Sequence, residues 1–303
     1  MNKIKSPVTG SYNTKVIKWY TVDHFVNLYK TSIDIDVSRF FKNCERVGYV
    51  KCLDTNYKFF YPNNILGDDL FYEELQKFEW YYHAEKWEFE EALNYIKVDD
   101  KVLEIGAGNG SFLNKLANKK ENIEALEFNK SAIESLNNQG YKVYKETIEN
   151  YSIKHDKQYD VLVTFQVLEH VADVKSFLEG AIKVLKKGGN LIISVPNDSA
   201  WILRFDPNLS VNYPPHHMGH LNEEFFINMQ QHFSVKLLNV MFEPLSIEQY
   251  SRYYRVLAVH IRTKFGFFGK ALDKLLYPVS EKLIKTFSRK LKGQSMVVIF
   301  TKE

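Results

Sequence analysis

The chain has 303 residues, 45% of them hydrophobic, 15% aromatic and 25% charged, with a net charge of +3. This is too apolar for a disordered chain, too evenly patterned for a bilayer span of roughly 18 apolar residues, and too weakly basic to indicate nucleic acid. The opening MNKIKSPVTGSYNTK lacks the apolar stretch and small-residue site of a secretory leader, and Cys44 and Cys52 alone make no disulfide framework, so the sequence reads as cytoplasmic.

Residues 1 to about 68 mix β-prone runs (RVGYVKCL, YKFFYP) with turn signals (SPVTG, PNN, LGDD), which predicts a small irregular N-terminal module. From 69 to 97, aromatic and apolar residues at helical spacing predict one or two helices. Strand-like and helix-like runs then alternate to about residue 200, the pattern of a parallel sheet covered by crossover helices. The strands are KVLEIG, IEALEF, YKVYKE, YDVLVTF and NLIISVP. The helices lie near 110 to 119, 130 to 138 and 171 to 186, the last closed by Gly188 and Gly189 after two lysines. An irregular segment follows, then a helix near 222 to 232, a strand near 234 to 242, a helical stretch to about 292 and a closing strand SMVVIFTKE. The fold class is α/β, with a domain over 69–303 that carries a helical insertion over about 244–292.

The segment VLEIGAGNG (102 to 110) runs from an apolar strand into a glycine turn. A backbone that approaches a ligand closely, turns and enters a helix needs glycine, which Gly106, Gly108 and Gly110 provide around Ala107. The G-x-G-x-G spacing differs from the dinucleotide fingerprint and suits a cofactor without a pyrophosphate. Glu104, at the strand end, is positioned to receive the amino group of a zwitterionic methionine moiety. Glu127 lies about 20 residues after the turn, where a carboxylate takes both ribose hydroxyls, with Phe128 beside it. Glu146, Thr147 and Ile148, after the third strand, sit where an adenine would lie.

With these residues assembled, the region from about 80 to 243 plus the last strand resembles the Rossmann-like (class I) methyltransferases that use S-adenosylmethionine (SAM). Further matches are YDVLVTFQVLEHVAD (159 to 173) and VLKKGGNLIISVPN (184 to 197). The resemblance implies a doubly wound, mostly parallel seven-stranded sheet with an antiparallel last strand, SAM as cofactor, and Phe165 and Gln166 lining the sulfonium and methyl region. It also implies a helix covering the cofactor before the first strand, from which Tyr82 can reach the methionine carboxylate; core packing is the plainer reading of that aromatic stripe.

The N-terminal module is similar to that of sugar and surface-polysaccharide methyltransferases, which often begin with a zinc ribbon. The matching segments here are Ser6-Pro7-Val8-Thr9-Gly10 and Cys52-Leu53-Asp54-Thr55-Asn56. Three of the four ligand positions are Ser or Thr, poor zinc donors, so the turns are expected without metal, and no metal site is expected elsewhere. The resemblance implies a sugar or glycan-linked hydroxyl as acceptor. A lipid or quinone-like acceptor, another small molecule, or a non-catalytic SAM-binding subunit are the alternatives.

Methyl transfer to a hydroxyl needs alignment and removal of a proton, for which histidine is suited. His216 and His217, in YPPHH after the fifth strand, and His170, after the fourth, are the candidate bases; loop packing or helix capping is the plainer reading of each. Residues 262 to 292 carry nine Lys and Arg against Asp273 and Glu281, interleaved with apolar residues. Such a basic amphipathic stretch reads either as a helical lid or as a peripheral contact with an anionic membrane at its inner surface.

Overall fold

The computed structural model describes residues 3–78, 86–200, 203, 210–245, 254, 258–266 and 292–303. In chain order the elements are β1 (Thr14–Thr21), α1 (Val22–Ile33), β2 (Arg46–Cys52), β3 (Lys58–Tyr61), α2 (Asp69–Leu75), α3 (Trp87–Leu93) and β4 (Val102–Ile105). They continue as α4 (Ser111–Lys115), β5 (Ile123–Leu126), α5 (Lys130–Asn138), β6 (Lys142–Tyr144), α6 (Ile148–Lys154) and β7 (Tyr159–Phe165). The last are α7 (Val174–Val184), β8 (Leu185–Pro196), β9 (Gly219–His220), α8 (Glu223–Met229), β10 (Val235–Phe242) and β11 (Ser295–Lys302).

Seven strands form one sheet in the order β10-β11-β8-β7-β4-β5-β6. β8, β7, β4, β5 and β6 pair in parallel, while β11 runs antiparallel to both neighbours. Alternation assigns the two faces. Leu103, Leu162, Ile193 and Val298 enter one core cluster and Val102, Val163, Ile192 and Val297 the other. Side chains buried on both faces explain why these strands read as near-continuous apolar runs.

The helix expected over 171–186 ends at Val184. Lys186, Lys187, Gly188 and Gly189 open β8 instead, and a Cβ at Gly189 would stand 2.9 Å from the Asp160 carbonyl oxygen. The glycine there lets two backbones approach rather than ending a helix. The stretch near 110 to 119 divides into α4 and a 3-10 turn over Ala117–Asn122. α6 has no counterpart among the expected helices. Tyr82 and most of the basic stretch, residues 267–291, lie outside the described residues, while 258–266 are helical. No described helix is long and apolar enough to cross a membrane.

The N-terminal strands make a second, antiparallel sheet, β1-β2-β3-β9, completed by a strand that lies far along the chain, after β8. Both resemblance segments fold as tight turns, closed by Gly10 N–H to Ser6 (2.9 Å) and Asn56 N–H to Cys52 (3.0 Å), with φ of 73° at Gly10 and 66° at Asn56. Asp54 ties the first turn to the second by accepting from Thr9 (3.3 Å), Asn13 (2.5 Å) and Ser11.

Glu124 of β5 is buried and accepts from the hydroxyls of Tyr159 and Tyr151 (2.9 Å for the latter), with Lys101 and Lys142 within 4 Å. Burial alone would raise its pKa, but the tyrosine hydrogen bonds and the lysines outweigh it and hold the carboxyl below its usual value. A depressed pKa contributes stability above the unfolded value that is lost as pH falls through the folded one. Melting curves taken below about pH 4.5 should therefore show a steeper acid loss for the native chain than for Glu124→Gln. Parallel pH profiles would assign the acid loss to other carboxylates.

Candidate active site

At the carboxyl ends of β4, β5, β7 and β8, where open α/β sheets bind ligands, lies a cavity of about 1050 Å³. Glu104, Gly106, Ala107, Gly108, Glu127, Phe128, Phe165 and Gln166 line one side. His170, His216, His217, Glu169 and Tyr72 line the other. The structure thus brings most of the expected cofactor residues and all three histidines to one space.

The glycine turn is built as its spacing requires. Gly106, Gly108 and Gly110 have φ of 77°, 53° and 77°, in the left-handed region that L side chains avoid. A Cβ at Gly106 would lie 2.5 Å from Val167, and one at Gly110, which packs beneath the cavity, 2.3 Å from Leu136. Gly106 N–H donates to the Leu126 carbonyl (2.8 Å), binding the turn to β5. Glu127 completes the lock by accepting from Gly108 N–H (2.7 Å), Phe128 N–H (2.7 Å) and Asn129 N–H (2.8 Å).

Glu104 is 3% exposed, and its Oε2 has no hydrogen-bond partner. Burial pushes its carboxyl pKa well up, the Glu127 charge adds to this, and Lys86 works against it. A buried carboxylate oxygen without a partner is costly unless a cation or donor arrives. An α-ammonium group of a ligand on the glycine turn meets that need. Phe165 packs edge-on against Phe89 and tilted against Phe112, each at 4.8 Å between ring centres, so one apolar wall stands beside the turn. Gln166 takes φ of 57° and donates to Ser194 Oγ (3.0 Å).

The residues expected at the adenine are arranged differently. Lys145 lines the cavity, but Glu146, Thr147 and Ile148 are not part of its lining. β6 ends at Tyr144, Thr147 caps α6 by accepting from Asn150 N–H (3.3 Å), and Ile148 is buried in the core beneath α7.

His170, His216 and His217 form a compact cluster, with ring centres 4.6, 4.9 and 4.5 Å apart pairwise. The Nδ1 of His170 meets the His216 carbonyl at 2.7 Å, and that of His216 meets the Val211 carbonyl at 2.9 Å. A ring nitrogen facing a carbonyl carries the proton, so Nδ1–H is the donor on both rings. Burial lowers all three pKa values, that of His170 to about 4, and mutual repulsion lowers those of His216 and His217 further, so the cluster is neutral at ordinary pH. Glu169 is buried beside them, its pKa pushed by burial up to about 8.

The N-terminal module holds the histidine loop. Tyr29 Oη donates to the Tyr213 carbonyl (2.7 Å), Gly67 N–H to that of Pro215 (2.9 Å) and Phe60 N–H to that of Met218 (2.9 Å). From the other side Met218 N–H donates to Glu169 (2.8 Å), which joins the loop to the segment after β7. Tyr72 of α2 packs on His170 and His216.

Tyr72, Glu88 and Lys86 are cavity residues absent from the expected set. Glu88 had a signal: with Phe89 and Ala92 it occupies the buried face of α3, an acid where an apolar residue belongs. Lys86 and Tyr72 had no comparable mark.

A family profile described as a methyltransferase domain matches residues 80–238, just over half of the chain. Ubiquinone biosynthesis O-methyltransferases from Klebsiella pneumoniae and Rickettsia bellii are 29% and 33% identical over 111 residues, 34% of this chain and 46% and 45% of those proteins. The chain spans about half the length of the curated relatives it matches. Among solved structures, a SAM dependent methyltransferase from Archaeoglobus fulgidus shares the fold, with a TM-score of 0.52 and 19% identity over 78% of this chain and 100% of that one.

Proposed function

Because the chain belongs to the methyltransferase-domain family, we propose that it transfers a methyl group from SAM to a hydroxyl of a polar, sugar-like acceptor. The observation that carries this reading is one cavity joining the buried Glu104, whose Oε2 has no hydrogen-bond partner, and the glycine turn to a neutral histidine cluster. SAM supplies the electrophilic methyl group when bound. Glu104 takes its amino group, Glu127 the ribose hydroxyls, and Phe165 the apolar flank of the sulfonium region. The histidine cluster faces the acceptor hydroxyl and holds its oxygen for an in-line approach.

A sugar or glycan-linked acceptor suits the polar groups that Asp69, Glu73, Gln76, Glu88 and Lys86 add to the cavity lining. The N-terminal module, 1–68, acts in this reading as a ribbon whose metal ligands are lost and whose task is to hold the histidine loop. A second acceptor, a quinone-like phenol, is favoured by the name of the ubiquinone-pathway relatives.

Labelled SAM incubated with nucleotide sugars, oligosaccharides and prenylated phenols separates these readings. Label is expected in a sugar fraction. Transfer to the phenols alone would replace the sugar reading with the second. Calorimetric binding of SAM without transfer to any acceptor would favour a non-catalytic subunit.

A further inference from the structure

Among the described residues, His170, His216 and His217 have ligating atoms that all lie within 4.8 Å of one another. We propose that this trio binds one divalent transition-metal ion of the zinc class, which engages the acceptor hydroxyl from its open coordination position. The role in acceptor binding rests on the methyltransferase reading; the site itself does not.

Three features carry the inference. The first is the donor set: three imidazoles lining one cavity match a three-histidine site that leaves a fourth position for substrate. Nitrogen donors favour zinc, cobalt or nickel over magnesium, which requires oxygen ligands. A tetrahedral ion with bonds of about 2.0–2.1 Å sets its nitrogens roughly 3.4 Å apart, so the present spread closes with side-chain adjustments on the order of 1 Å.

The second is orientation. Ligating histidines characteristically donate their other ring N–H to a carbonyl or carboxylate, which fixes tautomer and ring plane. His170 does so to the His216 carbonyl (2.7 Å) and His216 to the Val211 carbonyl (2.9 Å). Both rings are thereby oriented before any ion arrives, His216 on the loop held by the N-terminal module and His170 on the segment after β7.

The third is an unpartnered buried oxygen. Glu169 is 1% exposed, its Oε1 lies 3.9 Å from His170 Nε2, and its Oε2 has no hydrogen-bond partner. That carboxyl oxygen stands beside the three imidazoles with no hydrogen-bond partner. A divalent cation on the trio gives it a partner. A merely structural histidine cluster would leave that oxygen unexplained.

The test uses the full chain, stripped with a chelator and dialysed, then titrated with Zn²⁺ by calorimetry and with Co²⁺ by visible absorption. One equivalent of each metal is expected, and the cobalt spectrum should show ligand-field bands without a thiolate charge-transfer band. His217→Ala should weaken zinc binding by about 100-fold or more, and His170→Asn provides the same reading should the first variant fold poorly. Absence of stoichiometric uptake overturns the proposal, as do unchanged affinity in a folded variant and a thiolate band, which would move the ion to Cys52. SAM calorimetry on the metal-free chain keeps the two readings apart. Failure to bind SAM would sink the methyltransferase reading and leave the metal result standing.

Discussion

Glu127→Ala should weaken SAM binding by roughly two to three orders of magnitude, the largest single effect expected in the cofactor half. One carboxylate does two things there. Its Oε2 holds Gly108 N–H at 2.7 Å across 19 residues of sequence, and its Oε1 holds Phe128 and Asn129 N–H. Glu127 also lines the cavity, where ribose hydroxyls would donate. Hydrogen bonds to a charged group contribute about 1.5–3 kcal/mol each, and losing two near the lower end of that range amounts to about 3–4 kcal/mol, near 100- to 1000-fold in affinity. Removal also frees Gly108, whose positive φ is retained partly by that bond. Glu127→Gln keeps an acceptor on one side only and should fall between. Calorimetry with SAM measures both, and a loss below about threefold for Glu127→Ala would place the ribose elsewhere. Thermal melting should fall as well, because three backbone N–H groups lose their acceptor.

The parallel sheet was legible because its strands are apolar on both faces and its helices are short and regularly spaced. The glycine turn was legible because positive φ at three nearby positions can be met cheaply only by glycine. Other features depended on partners distant in sequence. β9 has two residues and takes its identity from β3, some 160 positions earlier. α6 is only seven residues long, and its start is set by Thr147 as cap, which removes that residue from the adenine region. The KKGG segment carries the residues of a helix end, yet contact with β7 recruits it into β8. Each histidine stood out by its neighbours, but the meeting of His170 with His216 and His217 follows from the Met218 to Glu169 backbone bond, which no local pattern announces. The burial of Glu169 likewise follows from that meeting and from no local pattern.

Phe25→Ala should lower stability by about 3–5 kcal/mol and the melting temperature by on the order of 10 °C, while leaving SAM affinity nearly intact. Phe25 is fully buried, stacks on Phe41 at 5.4 Å, and packs against Phe60 and Tyr213 at 6.2 and 5.9 Å. Its cluster holds α1, β2 and α2 together with Tyr213 and Met218 of the histidine loop. The residues behind the glycine turn, Ala107, Phe112 and Phe165, belong to a different cluster. A cavity at Phe25 therefore loosens the acceptor wall and spares the cofactor wall. The expected signature is a raised acceptor KM and weakened metal uptake at unchanged SAM affinity, measured below the lowered melting point. Tyr29→Phe is the milder form, since it removes only the 2.7 Å hydrogen bond to the Tyr213 carbonyl, and should shift the same quantities less. If Phe25→Ala lost SAM binding and acceptor turnover in proportion, the two walls would be one cooperative unit. The N-terminal module would then support the whole domain, with no special hold on the histidine loop.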